Sequence, residues 1–304
     1  MRRAAQGYEK MIDYVFLLQM AINGLILGLI YALIASGLTI LFGVLQIVNF
    51  AHGEFVMIGA YAMYLALPLF GLSYAPSLII AVAASALFAL LIFELFLSRV
   101  APGEFERGIL VTMGISMVLI HGVQYVMTAS PRMVDTEFGF AGIAVGDIRV
   151  TWVRVIAAAI ALAAFAGLYF CLNRTDFGRA IRAVAQNRDA ALMVGIKPRN
   201  VARNAVILAG TLCGLAGAAI APFQMVLPTM GMFLVFKAFA IVLIGGFGSV
   251  QGAIVAGICL GVLESFVGGF FSIVWQEAAG FIIMILILLL RPEGLFARAG
   301  VRVG

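Results

Sequence analysis

The order of apolar and charged positions along the chain is typical of a protein with many membrane-spanning helices. No acidic or basic side chain occurs from Tyr14 to Gly53, and further apolar runs recur as far as residue 290. A bilayer core about 30 Å thick needs roughly 20 apolar residues in a helix. The pattern predicts about ten helices, two of them short, at 14–35, 38–52, 54–70, 76–97, 108–129, 153–172, 204–221, 232–246, 251–271 and 276–290; eight full spans and two half-spans are an equivalent interpretation.

The first apolar run is too long for a single span. Its forty or so uncharged residues would form a helix of roughly 60 Å, about twice the hydrocarbon thickness. We therefore expect a turn at Ser36-Gly37, so that a full span is followed by a short one. The run also exceeds the core of a signal peptide, which is about 7–15 residues long. It is predicted to stay in the protein as membrane helix.

Composition supports the same fold class. Of the 304 residues, 64% are hydrophobic and only 11% are charged, whereas soluble domains are about half apolar and about a quarter charged. A water-soluble protein and a disordered chain are therefore excluded. The three cysteines lie in apolar runs without metal or redox spacing and are interpreted as small buried residues. The sequence predicts one all-α polytopic membrane domain over residues 1–304.

The distribution of basic residues predicts the orientation. Residues 174–203 contain seven Lys or Arg but only two Asp, so this loop is placed in the cytoplasm. Six predicted helices before the loop and four after it then place both termini in the cytoplasm as well. The basic residues of the two termini agree with this placement: Arg2, Arg3 and Lys10 at one, and Arg291, Arg298 and Arg302 at the other. Residues 130–152 become an external polar loop.

The two short helices are each followed by an unusual segment, Gln46–Glu54 (QIVNFAHGE) and Gly245–Gly252 (GGFGSVQG). Unwound backbone inside a membrane is tolerated only where it lines a cavity, and polar side chains are costly against lipid. We expect the two segments to approach each other near the midplane and to line a translocation pathway with Asn49, His52, Glu54, Gly246, Gly248 and Gln251. The alternative is two ordinary short helices with glycine turns at the surface. His52 fits equally well a hydrogen bond at a helix start on the cytoplasmic surface.

The basic loop is predicted to contain two short helices of its own. Thr175 or Asp176 can cap the first, and Asn187 or Asp189 can cap the second. Gly195 is typical of a helix stop. The second helix is amphipathic, with Ala190, Ala191, Leu192 and Val194 on its apolar face. Another surface can approach this alanine-rich face closely, which favours a docking site for a partner protein over a solvated helix.

Several segments of the sequence resemble one known family, the permease subunits of branched-chain amino acid ABC transporters (LivH-like), and the resemblance covers nearly the whole chain. The most specific block is Asn49–Glu54 (NFAHGE). The others are Asn23-Gly24 with Tyr31–Ala35, Gly59–Tyr61, residues 178–196, Gly245–Ser249 with Gly252, and Arg291–Phe296 (RPEGLF).

The resemblance implies a membrane subunit of an importer in the bacterial inner membrane that moves branched-chain amino acids delivered by a soluble binding protein. It also implies a second, related permease subunit and two cytoplasmic ATP-binding subunits. The coupling helix inserted into the ATPase would lie in residues 178–196, with Gly178, Arg179, Arg182, Asn187, Ala190, Ala191 and Gly195 in the contact. Related importers of urea, short amides or aromatic acids remain open as alternatives for the substrate.

The chain carries no sequence signature of an enzyme. Its three lysines, Lys10, Lys197 and Lys237, do not follow a phosphate-binding glycine run, so ATP hydrolysis is expected in a separate subunit. His52 and His121 are far apart and lack a catalytic or metal-binding cluster. No cofactor is expected.

An ion-coupled secondary carrier is the rival from another class. Such carriers place ionisable side chains inside the membrane to bind the driving ion, and Glu54 and Glu264 are the available carboxylates. A carrier does not, however, need a cytoplasmic docking loop.

Overall fold

A computed structural model describes residues 14–101, 103–139, 141–291 and 294–295. Most of these residues are helical. Within these residues the chain forms eleven α-helices: α1 (Tyr14–Leu45), α2 (His52–Phe70), α3 (Tyr74–Leu95), α4 (Phe105–Met127), α5 (Trp152–Arg174), α6 (Asp176–Gln186), α7 (Arg188–Met193), α8 (Pro198–Ile220), α9 (Met230–Gly245), α10 (Val250–Phe270) and α11 (Ile273–Leu290). A 3-10 turn (Leu97–Arg99) follows α3, and a hairpin of β1 (Gly142–Val145) and β2 (Ile148–Thr151) precedes α5. The predicted all-α polytopic fold is confirmed.

Seven of the described helices are long and apolar enough to cross a membrane: α1, α3 with its 3-10 extension, α4, α5, α8, α10 and α11. The 19-residue α2 and the 16-residue α9 lie outside this set. Among the described residues, the seven candidate spans together with α2 and α9 make nine helices, which agrees with the predicted eight to ten.

The predicted turn at Ser36-Gly37 is wrong, because α1 is one continuous helix of 32 residues, about 48 Å long. The Ser36 and Thr39 hydroxyls donate to the carbonyls of Ala32 and Ala35, at 2.7 and 2.8 Å, so their polar groups are satisfied inside the helix. The predicted short helix at 38–52 therefore does not exist. The chain leaves α1 only at Gln46, whose φ is +53°.

Small residues let α1 pack closely against α10 in the antiparallel sense. A Cβ on Gly28 would lie 2.8 Å from the Cα of Ile258, and a Cβ on Gly257 would lie 2.7 Å from the Cα of Ala32. Such backbone contact is a common means of helix association in membranes. It joins α1 to α10 along several turns of both helices.

The contacts at the two ends of α1 show which loops share an end of the bundle. Near its start, the Gln19 side-chain oxygen accepts a hydrogen bond of 3.0 Å from the Arg149 backbone N–H of the hairpin. Near its end, the Phe42 ring lies 6.4 Å from that of Phe105, at the start of α4. The basic loop is at this second end, because Arg199 pairs with Glu94 at the end of α3.

Tyr14 and the basic loop therefore lie at opposite ends of the bundle, joined by five helices rather than six. The helix count that placed the amino terminus in the cytoplasm with this loop is corrected accordingly; Arg2, Arg3 and Lys10 lie outside the described residues. The four helices predicted after the loop are confirmed. They return the chain to the same end, where Leu295 N–H donates to the Ile244 carbonyl at 2.8 Å. Arg298 and Arg302 are also outside the described residues.

The core of the bundle is built around α8, which packs against both α2 and α3. Its glycines allow the contact: a Cβ on Gly214 would lie 2.9 Å from the Ser85 side chain, and one on Gly217 would overlap the carbonyl of Val56. The Ser85 hydroxyl lies 2.8 Å from the carbonyls of both Phe55 and Gly210. This packing fixes the position of α2, whose first turn forms the site described next.

Candidate translocation site

Asn49 organises the start of α2 inside the bundle. Its side-chain oxygen accepts a hydrogen bond of 3.1 Å from the Ala51 N–H, and its backbone oxygen accepts one of 3.3 Å from the His52 N–H. Asparagine favours such turns because its side chain replaces a backbone acceptor. The Asn49 side chain is buried, and its Nδ2 has no hydrogen-bond partner among the described residues.

His52 lies in the interior, next to the middle of α1. Its Nε2 is 2.9 Å from the Ile34 carbonyl and 3.3 Å from the Cys213 sulfur. Gly37 leaves room for the ring, since a Cβ there would lie 3.1 Å from His52 Cε1. The side chain is fully buried, so the interpretation that placed it at the cytoplasmic surface is wrong.

Glu54 is a buried carboxylate in the first turn of α2. Its Oε1 accepts a hydrogen bond of 2.8 Å from the hydroxyl of Ser116, which is the central residue of α4. Its Oε2 has no hydrogen-bond partner in the described part of the chain, and a Cβ on Gly231, at the start of α9, would lie 2.5 Å from it. The amino ends of helices carry partial positive charge, so two helix starts stabilise this carboxylate.

The first turns of α2 and α9 meet directly. A Cβ on Gly53 would overlap the carbonyl oxygen of Gly231, so the two backbones touch. From this point α2 runs to Gly71, and α9 runs to Gly246 at the other end of the bundle. Helices that begin inside a membrane present their positive ends to anionic groups of substrates in several transporter folds. The geometry here is suited to that role.

The second predicted break lies elsewhere. Gly246 and Gly248 have φ of +88° and +77° and form the turn between α9 and α10, and Phe247 packs 4.5 Å from the ring of Phe42. Gly248 and Gln251 are exposed. The expectation that this segment meets Asn49–Glu54 near the midplane is wrong, because α1 continues to Leu45 and the start of α9 occupies that place.

The basic loop folds into α6 and α7 as predicted. Thr175 caps α6 by accepting from Gly178 N–H at 3.2 Å, and Asn187 caps α7 by accepting from Ala190 N–H at 2.9 Å. Gly195 follows in the left-handed region, with a φ of +85°. Arg179 pairs with Asp176 on the surface of α6.

The outward face of α7 includes the predicted Ala190, Leu192 and Val194 but not Ala191. Ala191 is only 3% exposed and packs against the chain's own core, whereas Met193 and Val194 are 89% and 75% exposed. Leu192 is exposed as well. We call these three residues, Leu192–Val194, the apolar tip. The surface open to another protein is therefore the apolar tip with Ala190 beside it, and Ala191 is the member of the predicted apolar face that does not contribute.

A tight corner joins α6 to α5. A Cβ on Gly178 would overlap the Leu172 carbonyl oxygen, and the Arg182 guanidinium donates to that same oxygen. The Thr175 hydroxyl donates to the backbone carbonyl of Cys171 at 2.5 Å. The two short helices are thus joined firmly to a membrane-spanning helix.

Three polar side chains form a buried cluster between α1, α9 and α10. Lys237 Nζ lies 2.8 Å from Glu264 Oε2 and 3.0 Å from the Tyr31 hydroxyl, which itself donates to that carboxylate at 3.1 Å. The Glu264 side chain is fully buried. A buried charge is tolerated when it is paired and hydrogen-bonded. The Oε2 atom of Glu264 meets that condition, whereas its Oε1 has no hydrogen-bond partner among the described residues.

Comparison with known proteins identifies the family. Residues 20–290 match the model of the branched-chain amino acid transport system permease component. The chain belongs to this family.

Individual relatives agree. The chain is 29% identical to the high-affinity branched-chain amino acid transport permease BraD of Pseudomonas aeruginosa, over 92% of this chain and 96% of the relative. It is 28% identical to LivH of Escherichia coli K12, over 94% and 97% of the two chains. It is also similar to a second permease of that system, LivM, at 27% identity over 88% of this chain and 68% of LivM. The protein is thus a multi-pass membrane permease and not a catalytic enzyme.

In this permease, sequence reasoning missed two contributors to the site. Ser116 and Gly231 contact Glu54 from distant helices, and no local pattern indicates such a contact. Outside this site, sequence reasoning also passed over Arg154, the second residue of the predicted span 153–172, although ionisable residues in membrane helices often mark functional sites. Its surroundings are described below.

Proposed function

We propose that this permease forms part of the translocation pathway of an ATP-driven importer for branched-chain amino acids. The match to the permease family over residues 20–290 carries the proposal. The apolar tip of α7 and the buried polar site at Asn49–Glu54 supply the two parts such a permease needs, a docking surface and a route. An external soluble protein delivers the substrate.

ATP hydrolysis takes place in a separate pair of cytoplasmic subunits that dock on α6 and α7. Three exposed large apolar side chains in succession are costly in water and favour contact with another protein. The residues of the contact region are Gly178, Arg179, Arg182, Asn187, Ala190, Ala191 and Gly195, and the apolar tip makes the contact itself. Because Gly178 and Arg182 fasten α6 to the end of α5, movement of the ATPase is passed to a membrane helix.

The route passes the point where α2 and α9 begin. Asn49 Nδ2 and Glu54 Oε2 each lack a partner within the described residues, so they are available to a passing zwitterion once the helices separate. His52 holds the start of α2 against α1 and positions this pair. Gly246, Gly248 and Gln251 lie at the end of the bundle nearer the basic loop, where they line the exit.

A second, related permease completes the membrane part of the transporter. This chain has one segment of the α6–α7 kind among its described residues, while two ATPase sites need two docking segments. The similarity to LivM, a second permease of the same type of system, supports a heterodimer. The site of action is the bacterial inner membrane, with the basic loop in the cytoplasm.

The alternative of ion-coupled transport is less well supported by the geometry. Glu264, one of the two candidate carboxylates, already pairs through Oε2 with Lys237 and Tyr31. A carrier would need this group free to bind its ion.

Uptake of radiolabelled leucine by cells that lack their own branched-chain transporters tests the proposal. We expect uptake when this chain is produced with its partner permease, ATPases and binding protein, and none when any one of them is omitted. Competition with urea, acetamide and phenylalanine identifies the substrate class. Uptake of urea or acetamide without that of leucine would overturn the assignment.

A further inference from the structure

A cavity of about 290 Å³ lies at the end of the bundle opposite the basic loop, between α1, α5, α10 and the start of α11. Its volume lies just below the roughly 300–1,000 Å³ typical of ligand sites, which suits one amino acid better than a peptide. Its lining is divided between aliphatic side chains and side-chain amides: Met20, Ile26 and Leu27 on one part, and Asn23, Gln224 and Gln276 on another.

Arg154 is the charged residue among those that line the cavity. It donates to the Asn23 side-chain oxygen, and its guanidinium lies 5.6 Å from the centre of the Phe223 ring. None of the ion pairs among the described residues involves it. A guanidinium has five N–H donors and recognises carboxylates in a bidentate way. Apart from the bond to Asn23, the guanidinium makes no hydrogen bond among the described residues, which leaves donors for a ligand in the cavity.

We propose that this cavity is an entry site for the substrate, in which Arg154 binds the α-carboxylate of a free amino acid. The amide oxygens of Gln224 and Gln276 accept from the ammonium group, and the aliphatic side chain lies on Met20, Ile26 and Leu27. The proposal rests on the proposed import of amino acids and adds to it a requirement: the permease itself selects substrates with a carboxylate. A neutral amide or urea lacks the group that Arg154 binds.

Protection from chemical modification tests the site without relying on transport. The assembled transporter, without its binding protein, is treated with phenylglyoxal, and modification of individual arginines is followed by peptide mass spectrometry. Millimolar L-leucine is expected to slow modification of Arg154 about tenfold, while L-leucinamide, which lacks the carboxylate, leaves it unchanged. Arg149, on the neighbouring hairpin, serves as the internal control and is modified at one rate throughout. Equal effects of leucine and leucinamide on Arg154 would overturn the proposal.

Transport by matched variants separates this inference from the proposed function. Arg154→Gln is expected to raise the KM for leucine delivered by the binding protein about tenfold, whereas Arg149→Gln keeps the wild-type value. Arg154→Lys retains the charge without the bidentate geometry and falls between them. If the wild type transports leucine and Arg154→Gln matches it, the entry site is wrong while the function stands. If the wild type moves no leucine, the proposed function fails, and the protection experiment still decides whether the cavity binds carboxylates.

Discussion

Gly53 and Gly231 touch through their backbones at the point where α2 and α9 begin. Neither position accepts a Cβ: one at Gly53 would overlap the Gly231 carbonyl, and one at Gly231 would press on Glu54. The two helix starts can therefore approach this closely only because both positions are glycine. The contact lies beside Ser116, at the centre of α4. It joins the two helices that fall outside the set of full-length spans.

Replacing Gly53 with alanine should destabilise this contact. Overpacking of a well-packed interior costs about 1–3 kcal/mol, so Gly53→Ala is expected to lower the unfolding midpoint of the purified transporter and its leucine uptake. Gly114→Ala is the matched control, because a Cβ at Gly114, in the middle of α4, would meet nothing within 4 Å. Thermal unfolding in detergent measures the difference; equal midpoints for the two variants would show that the helix starts are not in close contact.

A charge on the apolar tip should separate the permease from its ATPase. Met193→Glu places a carboxylate on a side chain that is 89% exposed, so the fold is retained while the apolar contact is lost. We expect normal insertion, loss of the ATPase subunits on co-purification, and at least about a tenfold fall in uptake. Met133→Glu, at the opposite end of the bundle and 55% exposed, is the control. Retention of the ATPase by Met193→Glu would place the docking surface elsewhere.

The same region predicts a different outcome for Ala191. Because Ala191 is buried in the chain's own core, Ala191→Glu forces an unpaired charge into an apolar site, which is strongly unfavourable. We expect a lower yield of folded permease rather than a folded but uncoupled one. Quantitative membrane-insertion and unfolding assays distinguish the two outcomes, and a normal yield with uncoupled ATP hydrolysis would contradict the observed packing.

The buried pair of Lys237 and Glu264 offers a test of the rival mechanism. Removing one partner of a buried ion pair costs about 3–5 kcal/mol, so Lys237→Met and Glu264→Gln are each expected to lower stability. The double variant leaves no uncompensated charge and should recover most of the loss. Uptake of leucine should recover with it, as expected of a structural pair. Stable protein that has lost transport would instead indicate that Glu264 binds a coupling ion.

Labelling of single cysteines reports on the proposed route. In a chain without Cys171, Cys213 and Cys259, Asn49→Cys is buried in the present conformation and should react with a small water-soluble reagent only while ATP is being hydrolysed. Gln251→Cys is exposed and should react in every nucleotide state. No reaction of Asn49→Cys in any state, with Gln251→Cys reacting throughout, would remove Asn49 from the route.

The sequence predicted the elements that depend on local signals. The apolar runs located α2 to α5 and α8 to α11, and cap residues located α6 and α7, with Thr175 and Asn187 in the expected roles. It failed at α1, where a serine and a glycine look like a turn. In the structure the Ser36 hydroxyl donates to a carbonyl of its own helix, and Gly37 leaves room for the His52 ring. Because His52 belongs to another helix, the local sequence around Gly37 does not indicate this contact.

The candidate site was predicted only in part for the same reason. Asn49, His52 and Glu54 lie close together in sequence, so we could expect from this one polar block that all three are buried. Their true neighbour is Gly231 rather than Gly246 or Gly248, and this depends on where α9 begins. A hydrophobic pattern does not show which end of a short helix points into the bundle.

Uptake into proteoliposomes tests most directly whether this permease moves branched-chain amino acids at the expense of ATP. The complete transporter is reconstituted with ATP on the side of the basic loop and leucine-loaded binding protein on the other. We predict accumulation of leucine that requires hydrolysable ATP and persists when proton and sodium gradients are abolished. Accumulation that follows an ion gradient and proceeds without ATP would contradict the account.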